Sequence, residues 1–324
     1  METKEAMGGA AVSGASSSDG VGNGLPATPV LLAFALGVLL GGSNAVATRF
    51  TVEEMDPFWG AALRFAAATT IFAVIGLLGR VELPRGRTLG GLLVYGVLNF
   101  GLSYALLYFA IRELTAGFTM VILALTPLLT FLFAVLHRLE PFRWRAFLGA
   151  MLALGGIALA FAGQPAGGAP LWAVLFMVGS AACLAEATVV LKMLPPVSPV
   201  AANAVGMAVG TLTLALLSLL AEEAWALPEQ TRTWAAVIYL IVFGSVALFY
   251  LAVYVVQRWT ATATSYGVVL APFVTVPLGA FLAGEQITVG LVAGGLLVLV
   301  AVFVGALSGG VDKKAEVEAA AESR

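Results

Sequence analysis

Charged side chains are scarce in this chain of 324 residues: Asp, Glu, Lys and Arg make up 10% of it, whereas an ordinary soluble domain carries about 25%. Apolar residues account for 60%, and the mean hydropathy is +1.01. A water-soluble fold could not cover itself with so few charges, so much of the surface must face lipid. The net charge of −2 gives no electrostatic reason to expect a nucleic acid partner.

Cysteine and histidine occur once each, as Cys183 and His137. A single cysteine excludes a disulfide framework and a CxxC redox pair, and these two residues alone cannot form the usual kind of zinc site. The sequence also lacks a GxxxxGK segment for ATP and any Ser/His/Asp, HExxH or paired-aspartate arrangement in its apolar stretches. We therefore expect no metal, no cofactor and no enzymatic activity.

Both ends of the chain are polar. Residues 1–28 are rich in Gly, Ser and Ala and have neither the basic start nor the apolar core of a signal peptide, which predicts a disordered cytoplasmic tail. Residues 309–324 predict a second cytoplasmic tail. The sequence between the two tails is the part that belongs in a membrane.

This central part divides at charges, Pro and Gly into ten apolar runs, and a membrane-crossing helix needs roughly 20 residues. The ten expected spans are Val30–Phe50, Phe58–Leu78, Leu89–Ile111, Ala116–Leu136, Arg145–Ala162, Leu171–Leu191, Val200–Leu220, Trp234–Val256, Ala261–Leu282 and Val289–Leu307. Short connections, such as 112–115 and 257–260, predict antiparallel neighbours. The expected fold class is an all-α membrane protein with ten transmembrane helices.

Lysine and arginine are distributed unevenly over the connections. With both termini on one side, twelve of the 16 Lys and Arg residues fall on that side, three fall on the other, and Arg64 lies within a span. Because basic connections stay in the cytoplasm, both termini are expected there. The protein is then a multi-pass protein of the cell (plasma or inner) membrane.

The chain contains an internal repeat. A shift of 145 positions aligns residues 113–161 with 258–306 without a gap, and ten of the 49 positions are identical. Shared apolar composition explains matching leucines but not a proline, three threonines and a glutamate in register. The repeat predicts two related halves, 29–163 and 170–308.

Each half holds five expected spans, an odd number, so the two halves enter the membrane in opposite orientations. Inverted repeats are the architecture of transporters that open alternately to either side of a central site. Duplication in a membrane protein without transport activity is the alternative interpretation.

The first half carries the run LGGSNAVATRF, then Pro57 and the block Ala62–Phe65, and closes on Thr, a mid-helix Pro, Glu and a Gly-rich helix. The second half closes with the similar run TATATSYGVVLAPFVTVPLGAFLAGEQITVGLVAGGLLVLV. These segments resemble EamA-type domains of the drug/metabolite transporter superfamily over residues 29–308. The resemblance implies ten spans in two such domains, and it says little about the substrate.

Glu186 and Asn44 are candidate pathway residues. Glu186 lies inside the sixth expected span, and an acid at membrane depth costs on the order of 3 kcal/mol. It is expected to couple transport to protons or bind a cation, unless it is a neutral hydrogen-bonding group between helices. Asn44 occupies the matching position when the halves are aligned on Pro57 and Pro199, and it is either a cavity residue or a contact between helices.

Arg64 begins about 9 Å inside the second expected span, at six residues of 1.5 Å each. Its side chain either reaches out to Glu53 or Glu54 at the interface or binds an anionic group such as a carboxylate. Gly206 takes its place in the second half.

Pro127 and Pro272 stand in register near the middle of the fourth and ninth spans. Each frees a carbonyl four residues earlier, and such a carbonyl must face protein or a wet cavity. We expect kinked helices that line the pathway.

Polar tips on the third and eighth expected spans supply the remaining candidates, Asn99, Tyr104 and Tyr250. Tyrosine suits a lining that accepts amphipathic molecules, although it also anchors helices at the headgroups. Tyr104 and Tyr250 are expected to lie deep.

Taken together, these features predict secondary transport of a small organic metabolite by alternating access. Export of an amino acid or a xenobiotic and coupling to protons remain open, as does a passive channel or facilitator. The expected partners are a small-molecule substrate and the lipid bilayer, and the sequence gives no indication of an oligomeric state.

Overall fold

The computed structural model describes residues 27–139, 142, 144–162, 169–258 and 267–304, and within these ranges the regular structure is entirely helical. We number the helices α1 to α10 along the chain. They are α1 (Thr28–Val52), α2 (Pro57–Leu78), α3 (Gly86–Ala110), α4 (Ala116–Leu136), α5 (Trp144–Ala162), α6 (Leu171–Met193), α7 (Pro199–Leu220), α8 (Thr231–Val256), α9 (Gly267–Ala283) and α10 (Val289–Val302). The expected tail 309–324, residues 1–26 of the other expected tail and the expected start of the ninth span lie outside the described residues.

Helix starts follow ordinary capping chemistry. Pro57 and Pro199 are the first residues of α2 and α7, where proline sacrifices no intrahelical hydrogen bond. Thr115 and Thr288 precede α4 and α10, and their hydroxyls accept the amides of Phe118 and Leu291.

Seven of the helices are long and apolar enough to cross a membrane: α1 to α4 and α6 to α8. Shorter apolar helical segments occupy the positions of the other three expected spans, at Met151–Ala160, Gly267–Ala283 and Val289–Ala301. The all-helical fold class is therefore confirmed for the described residues.

The outer surface is apolar. Leu77, Leu78 and Phe281 are 79%, 82% and 87% exposed, and many other large apolar side chains point outward around the helices. A soluble monomer rarely exposes contiguous apolar area on this scale, so this surface fits a lipid environment.

A local irregularity repeats along the chain. Helices α3 and α8 are each interrupted by a π-helical segment, at Val97–Leu102 and Val242–Ala247. The two segments are separated by 145 positions, which is the shift that aligns the sequence repeat. Because π-helical turns are rare and local, their matching positions are a structural sign of the duplication.

The most extensive helix contacts join the two halves, between α2 and α7 and between α5 and α10. The backbones of α5 and α10 approach closely, and a Cβ added at Gly156 would lie 2.8 Å from the Gly294 carbonyl oxygen. Small residues permit such contacts between apolar helices.

Contacts between the connections that follow α1, α3, α7 and α9 define one face of the molecule, and the opposite ends of the same helices define the other. The tail face carries the beginnings of α1, α3 and α7 and the ends of α2, α4 and α6. The latch face carries their opposite ends, with the connections 53–56, 111–115, 221–230 and 284–288.

Candidate functional site: a cavity sealed at one face

A cavity of about 330 Å³ lies between helices of both halves. This volume is within the range of small-molecule sites, about 300–1,000 Å³. The lining residues come from α1, α3, α4, α6, α8 and α9, and they are mostly apolar. The polar ones are Asn44, Thr48, Tyr95, Asn99, Tyr104, Thr126, Thr130 and Thr188.

The cavity extends toward the tail face. Helix α6 lines it with Leu184, Thr188 and Leu191, all within the last ten residues of that helix. Helix α9 lines it with Gly267, Val268 and Ala271, within its first five residues. The space therefore begins beside the tail-face ends of these helices. It reaches inward to Thr48 on α1 and Leu107 on α3, within about one turn of the latch-face ends of those helices.

At the latch face the halves are tied by carboxylates that cap helix starts across the repeat boundary. The Glu223 carboxylate of the second half accepts the amides of Phe58 and Trp59, at 3.1 and 2.8 Å, at the start of α2. The Trp59 ring stacks on Trp225 with centroids 4.8 Å apart. A carboxylate at a helix N-terminus is stabilised by the unpaired amides and the helix dipole.

A reciprocal contact runs from the first half to the second. Glu54 Oε1 accepts the amides of Glu229 and Gln230, just before α8. The Thr233 side chain and these two amides lower the pKa of Glu54 from its usual value of 4.5. The carboxylate is therefore ionised at neutral pH, and these contacts are lost only as the pH falls below that value.

Charged side chains complete the seal at the latch face. Arg232 pairs with Glu53 at 2.8 Å, and Arg112 lies 3.6 Å from Asp56. Arg49 donates to the carbonyl of Ile111 at 2.5 Å. These ties join the connections after α1, α3 and α7.

Glu285, two residues after the end of α9, contacts the start of α4. Its carboxylate accepts the amides of Ala116 and Gly117 at 2.7 and 3.2 Å. The second half thus caps a helix of the first half. Its repeat partner, Glu140, lies outside the described residues.

Arg64 is buried at the inner end of the cavity, with 1% of its surface exposed. Its Nε donates to Ser245 Oγ at 2.7 Å, its Nη2 to the Gly244 carbonyl at 2.5 Å, and its Nη1 to Tyr108 Oη at 3.3 Å. The guanidinium carbon also lies 5.3 Å from the centre of the Tyr104 ring.

Of the two alternatives that the sequence leaves open for Arg64, the outward reach to Glu53 or Glu54 is wrong. Those two carboxylates are engaged by Arg232 and by the amides before α8. Arg64 points inward because the π-helical segment of α8 offers it acceptors. A π-helical turn shifts the backbone hydrogen bonds by one residue, and the Gly244 carbonyl within it accepts a side chain.

Asn44 and Tyr104 stand between Arg64 and the cavity, and both line it. Asn44 Nδ2 donates to the Gly244 carbonyl at 3.2 Å, which fixes the orientation of the amide, while its buried Oδ1 has no hydrogen-bond partner in the described structure. The Tyr104 ring lies between Phe65 and Phe249, with centroids 4.7 and 6.3 Å away.

Asn99 lines the cavity from the π-helical segment of α3, at the repeat position that corresponds to Gly244. It is 7% exposed, and its Nδ2 has no acceptor among the described residues. A buried amide without a partner is costly, so a bound solute or water is its natural complement.

The two halves differ where Arg64 corresponds to Gly206. Arg64 reaches from α2 to the π-helical segment of α8. In α7, Gly206 leaves room for the Phe100 ring from the π-helical segment of α3, since an added Cβ would lie 2.9 Å from that ring. One repeat therefore places a cation at its π-helical segment, and the other places an aromatic ring there.

The two prolines occupy different surroundings. Pro127 lines the cavity, where α4 breaks between Leu123 and Thr126, and the Thr126 hydroxyl donates to the freed Leu123 carbonyl at 2.6 Å. Pro272 is buried and lies next to Ala271, which lines the cavity. Its helix, α9, packs on α1, and the hydroxyl of Thr275 on α9 donates to the Gly42 carbonyl of α1 at 2.7 Å.

Glu186 does not line the cavity. It lies seven residues before the end of α6, about 10 Å along the axis, and about 200° around the helix from the lining residue Leu184. Its Oε1 is 3.1 Å from His137 Nε2 at the end of α4. His137 was the partner that sequence reasoning missed, because the two residues are distant in the chain.

Tyr250 also lies away from the cavity, with 42% of its surface exposed. The preceding residue, Phe249, lines the cavity and packs on Phe100, with centroids 4.8 Å apart. Neighbouring positions on a helix point in directions about 100° apart, so Phe249 and Tyr250 face different surroundings. Phe249, which is in register with Tyr104 in the repeat, is the one of the two that lines the cavity.

The described ranges hold no group of three or more His, Cys, Asp or Glu side chains that could bind a metal ion. The lining of the cavity contains no charged residue. The lining is mostly apolar, with hydrogen-bonding groups on α1, α3, α4 and α6, and Tyr104 is the lining residue in ring contact with Arg64.

Comparisons with known proteins agree with these features. Residues 28–162 and 171–306 each match the model of the EamA-like transporter family. The "Uncharacterized inner membrane transporter YedA" of Escherichia coli K12 is 29% identical over 252 residues, covering 77% of this chain and 81% of that protein. An "Uncharacterized transporter" of Archaeoglobus fulgidus is 25% identical over 280 residues, covering 84% of this chain and 97% of that one.

A solved crystal structure shares the fold. It superposes with a TM-score of 0.63 at 21% sequence identity and covers 86% of this chain and 96% of its own. The two family matches divide the chain at the boundary between the sequence repeats.

Proposed function

Because the chain belongs to the EamA-like transporter family, we propose that it is a ten-helix secondary transporter that moves a small organic solute by alternating access. In this proposal the halves 29–163 and 170–308 are inverted five-helix repeats. Its general activity is membrane transport, in keeping with the names of its relatives.

The observation that carries the proposal is the difference between the two faces around the cavity. The cavity runs to the tail-face ends of α6 and α9. At the latch face, beyond Thr48 and Leu107, the halves are tied by contacts such as Glu223 with the start of α2. A solute site closed on one side by separable polar ties is what one state of an alternating-access cycle requires. Release of those ties would open the opposite face.

The tail face is assigned to the cytoplasm by the excess of lysine and arginine in its connections. In a cell membrane this conformation is open inward. The location follows the relative from Escherichia coli, whose name places it in the inner membrane.

Coupling to protons is a further part of the proposal and rests on the His137–Glu186 pair. His137 Nδ1 lies 2.9 Å from the Phe133 carbonyl, which can only accept, so Nδ1 carries a proton. Nε2 lies 3.1 Å from Glu186 Oε1. A histidine beside a carboxyl group is a pair that can take up and release a proton, and in this proposal the contact breaks when α4 and α6 separate.

A passive facilitator is the second candidate, favoured by the absence of a charged residue from the lining. Counterflow separates the two. Purified full-length protein in liposomes is loaded with an unlabelled metabolite from a panel, and uptake of the labelled compound is followed. Transient accumulation driven by the inner compound supports a carrier. Equilibration without trans-stimulation contradicts alternating access.

A further inference from the structure

We propose that the inner end of the cavity selects small organic anions, with the carboxylate near Asn44, Asn99 and Tyr104 and the charge of Arg64 behind them as the source of selectivity. This inference rests on the proposed transport function and names its substrate class. Arg64 is a positioning residue in this arrangement, because it acts through Asn44 and Tyr104.

The first argument is the uncompensated charge. Arginine stays protonated in proteins, and Arg64 is 1% exposed. Its three hydrogen-bond acceptors, Ser245, Gly244 and Tyr108, are all neutral, and it makes no ion pair with a carboxylate of the described ranges. A buried charge without a counter-ion is expensive, and an anion in the adjoining cavity would lower that cost.

The second argument is the set of hydrogen-bonding groups in the lining of the same cavity. Asn99 Nδ2 is buried and lacks an acceptor, so it can donate to a carboxylate oxygen. Tyr104, whose ring centre lies 5.3 Å from the Arg64 guanidinium carbon, carries a hydroxyl that can donate as well. Asn44 Oδ1 is the matching unpartnered acceptor, suited to a hydroxyl or N–H elsewhere on the solute.

The third argument concerns the rest of the solute. Most of the remaining lining is apolar and includes Leu107, Met120, Leu123 and Phe249. A cavity of about 330 Å³ takes a compact molecule. The expected solute is therefore a carboxylate with an apolar body.

A purely structural role for Arg64 is the competing explanation, since the side chain also ties α2 to α8. That role predicts lost stability when Arg64 is replaced, but it predicts no change in which head group is preferred. A charge-selective role predicts that the preference depends on the positive charge.

The test uses three probes with one apolar body: 3-phenylpropionate, 3-phenylpropanamide and 3-phenylpropylammonium. Binding to the purified full-length protein is measured by ligand-induced thermal stabilisation, and competition is measured in the counterflow assay. The parent protein should prefer the carboxylate to the amide by roughly tenfold, which corresponds to about 1.4 kcal/mol. Arg64→Lys should keep the preference, and Arg64→Gln should reduce the ratio to about one.

Asn44→Asp provides a second route that leaves Arg64 in place. It adds a negative charge to the cavity lining and should shift the preference toward the ammonium probe. Thr188→Val is the matched control, because Thr188 lines the same cavity on α6 without facing Arg64, and it should leave the preference unchanged.

Equal binding of amide and carboxylate by the parent, or a carboxylate preference that survives both Arg64→Gln and Asn44→Asp, would overturn the inference. Counterflow of solutes without any charge preference would leave the transport function standing and remove only the anion site. Absence of counterflow with every solute, in a protein that still binds the carboxylate, would instead remove the transport function.

Discussion

Single carboxylates hold the latch face closed, and Glu223 is the best-defined of them. It accepts two amides at the start of α2, so it satisfies donors that the helix itself cannot pair. Its neighbour Glu222 is exposed, although it is adjacent in sequence. Comparing substitutions at Glu223 and Glu222 therefore distinguishes the effect of the helix cap from that of a general change in surface charge.

We expect Glu223→Gln to lower the free energy of unfolding by about 1–2 kcal/mol, since an amide oxygen is a weaker acceptor and lacks the charge that the helix dipole favours. Thermal unfolding of the detergent-solubilised protein measures this loss. Glu222→Gln is the control and should change stability little. Equal destabilisation by the two variants would contradict the role assigned to the cap.

The His137–Glu186 contact gives the other prediction at this scale. If its proton couples transport, Glu186→Gln and His137→Gln should each abolish the response of transport to an imposed pH gradient in liposomes. Arg138 and Lys192 lie near the same helix ends, so pH responses of parent and variants are compared at one ionic strength. Exchange at equal pH should persist. A response like that of the parent in either variant removes the pair from the coupling mechanism.

At the scale of elements, breaks in helices shape the cavity. Helix α4 is interrupted just before Pro127. The Thr126 hydroxyl donates a hydrogen bond to the Leu123 carbonyl, which the proline leaves unpaired. The break therefore carries little hydrogen-bonding cost while it turns Thr126 and Thr130 toward the cavity. The π-helical segments of α3 and α8 act similarly by presenting Asn99 and the Gly244 carbonyl.

Pro127→Ala should restore an amide to α4, straighten it and slow counterflow several-fold in a protein that remains folded. Pro277→Ala is the matched control, because Pro277 lies inside α9 on its exposed surface. Transport rates and circular dichroism are measured for both. Counterflow at the parental rate in Pro127→Ala would reduce this proline to a packing residue.

Two glycines, one packed closely against a neighbouring helix and one in open space, are expected to change stability in opposite directions when replaced by alanine. Gly206→Ala places a methyl group 2.9 Å from the Phe100 ring and should destabilise the protein by about 1–3 kcal/mol. Gly90→Ala, in open space on α3, should be neutral or stabilising by up to about 1 kcal/mol, since alanine favours helix. Thermal unfolding compares them, and a stabilising Gly206→Ala would show that Phe100 can move aside.

At the scale of the whole molecule, the asymmetric cavity predicts which side reagents can reach. In a Cys183→Ser background, Thr188→Cys and Arg85→Cys should react with a membrane-impermeant thiol reagent in inside-out vesicles, and Glu222→Cys should react in intact cells. Labelling is read by mass shift. Reaction of Arg85→Cys from outside in intact cells would reverse the proposed orientation.

Features that depend on composition or on short-range pattern were predictable. The ten apolar runs correspond to the helical segments of the described structure, because length and apolarity are local properties of a span. The repeat shift of 145 found in the sequence reappears in the π-helical segments. Asn44, Asn99 and Tyr104 line one cavity, and their role in a substrate pathway stays a prediction.

The sequence by itself determined the lipid-facing surface, the helical class and the duplication, since each follows from residue type and spacing alone. Only the tertiary structure decided which way polar side chains point. Arg64 turns inward to Gly244 and Ser245, and Glu186 turns away to His137. The reason is that burial and hydrogen bonding of a helical side chain depend on which distant helix lies beside it, and that pairing is not encoded in the span itself.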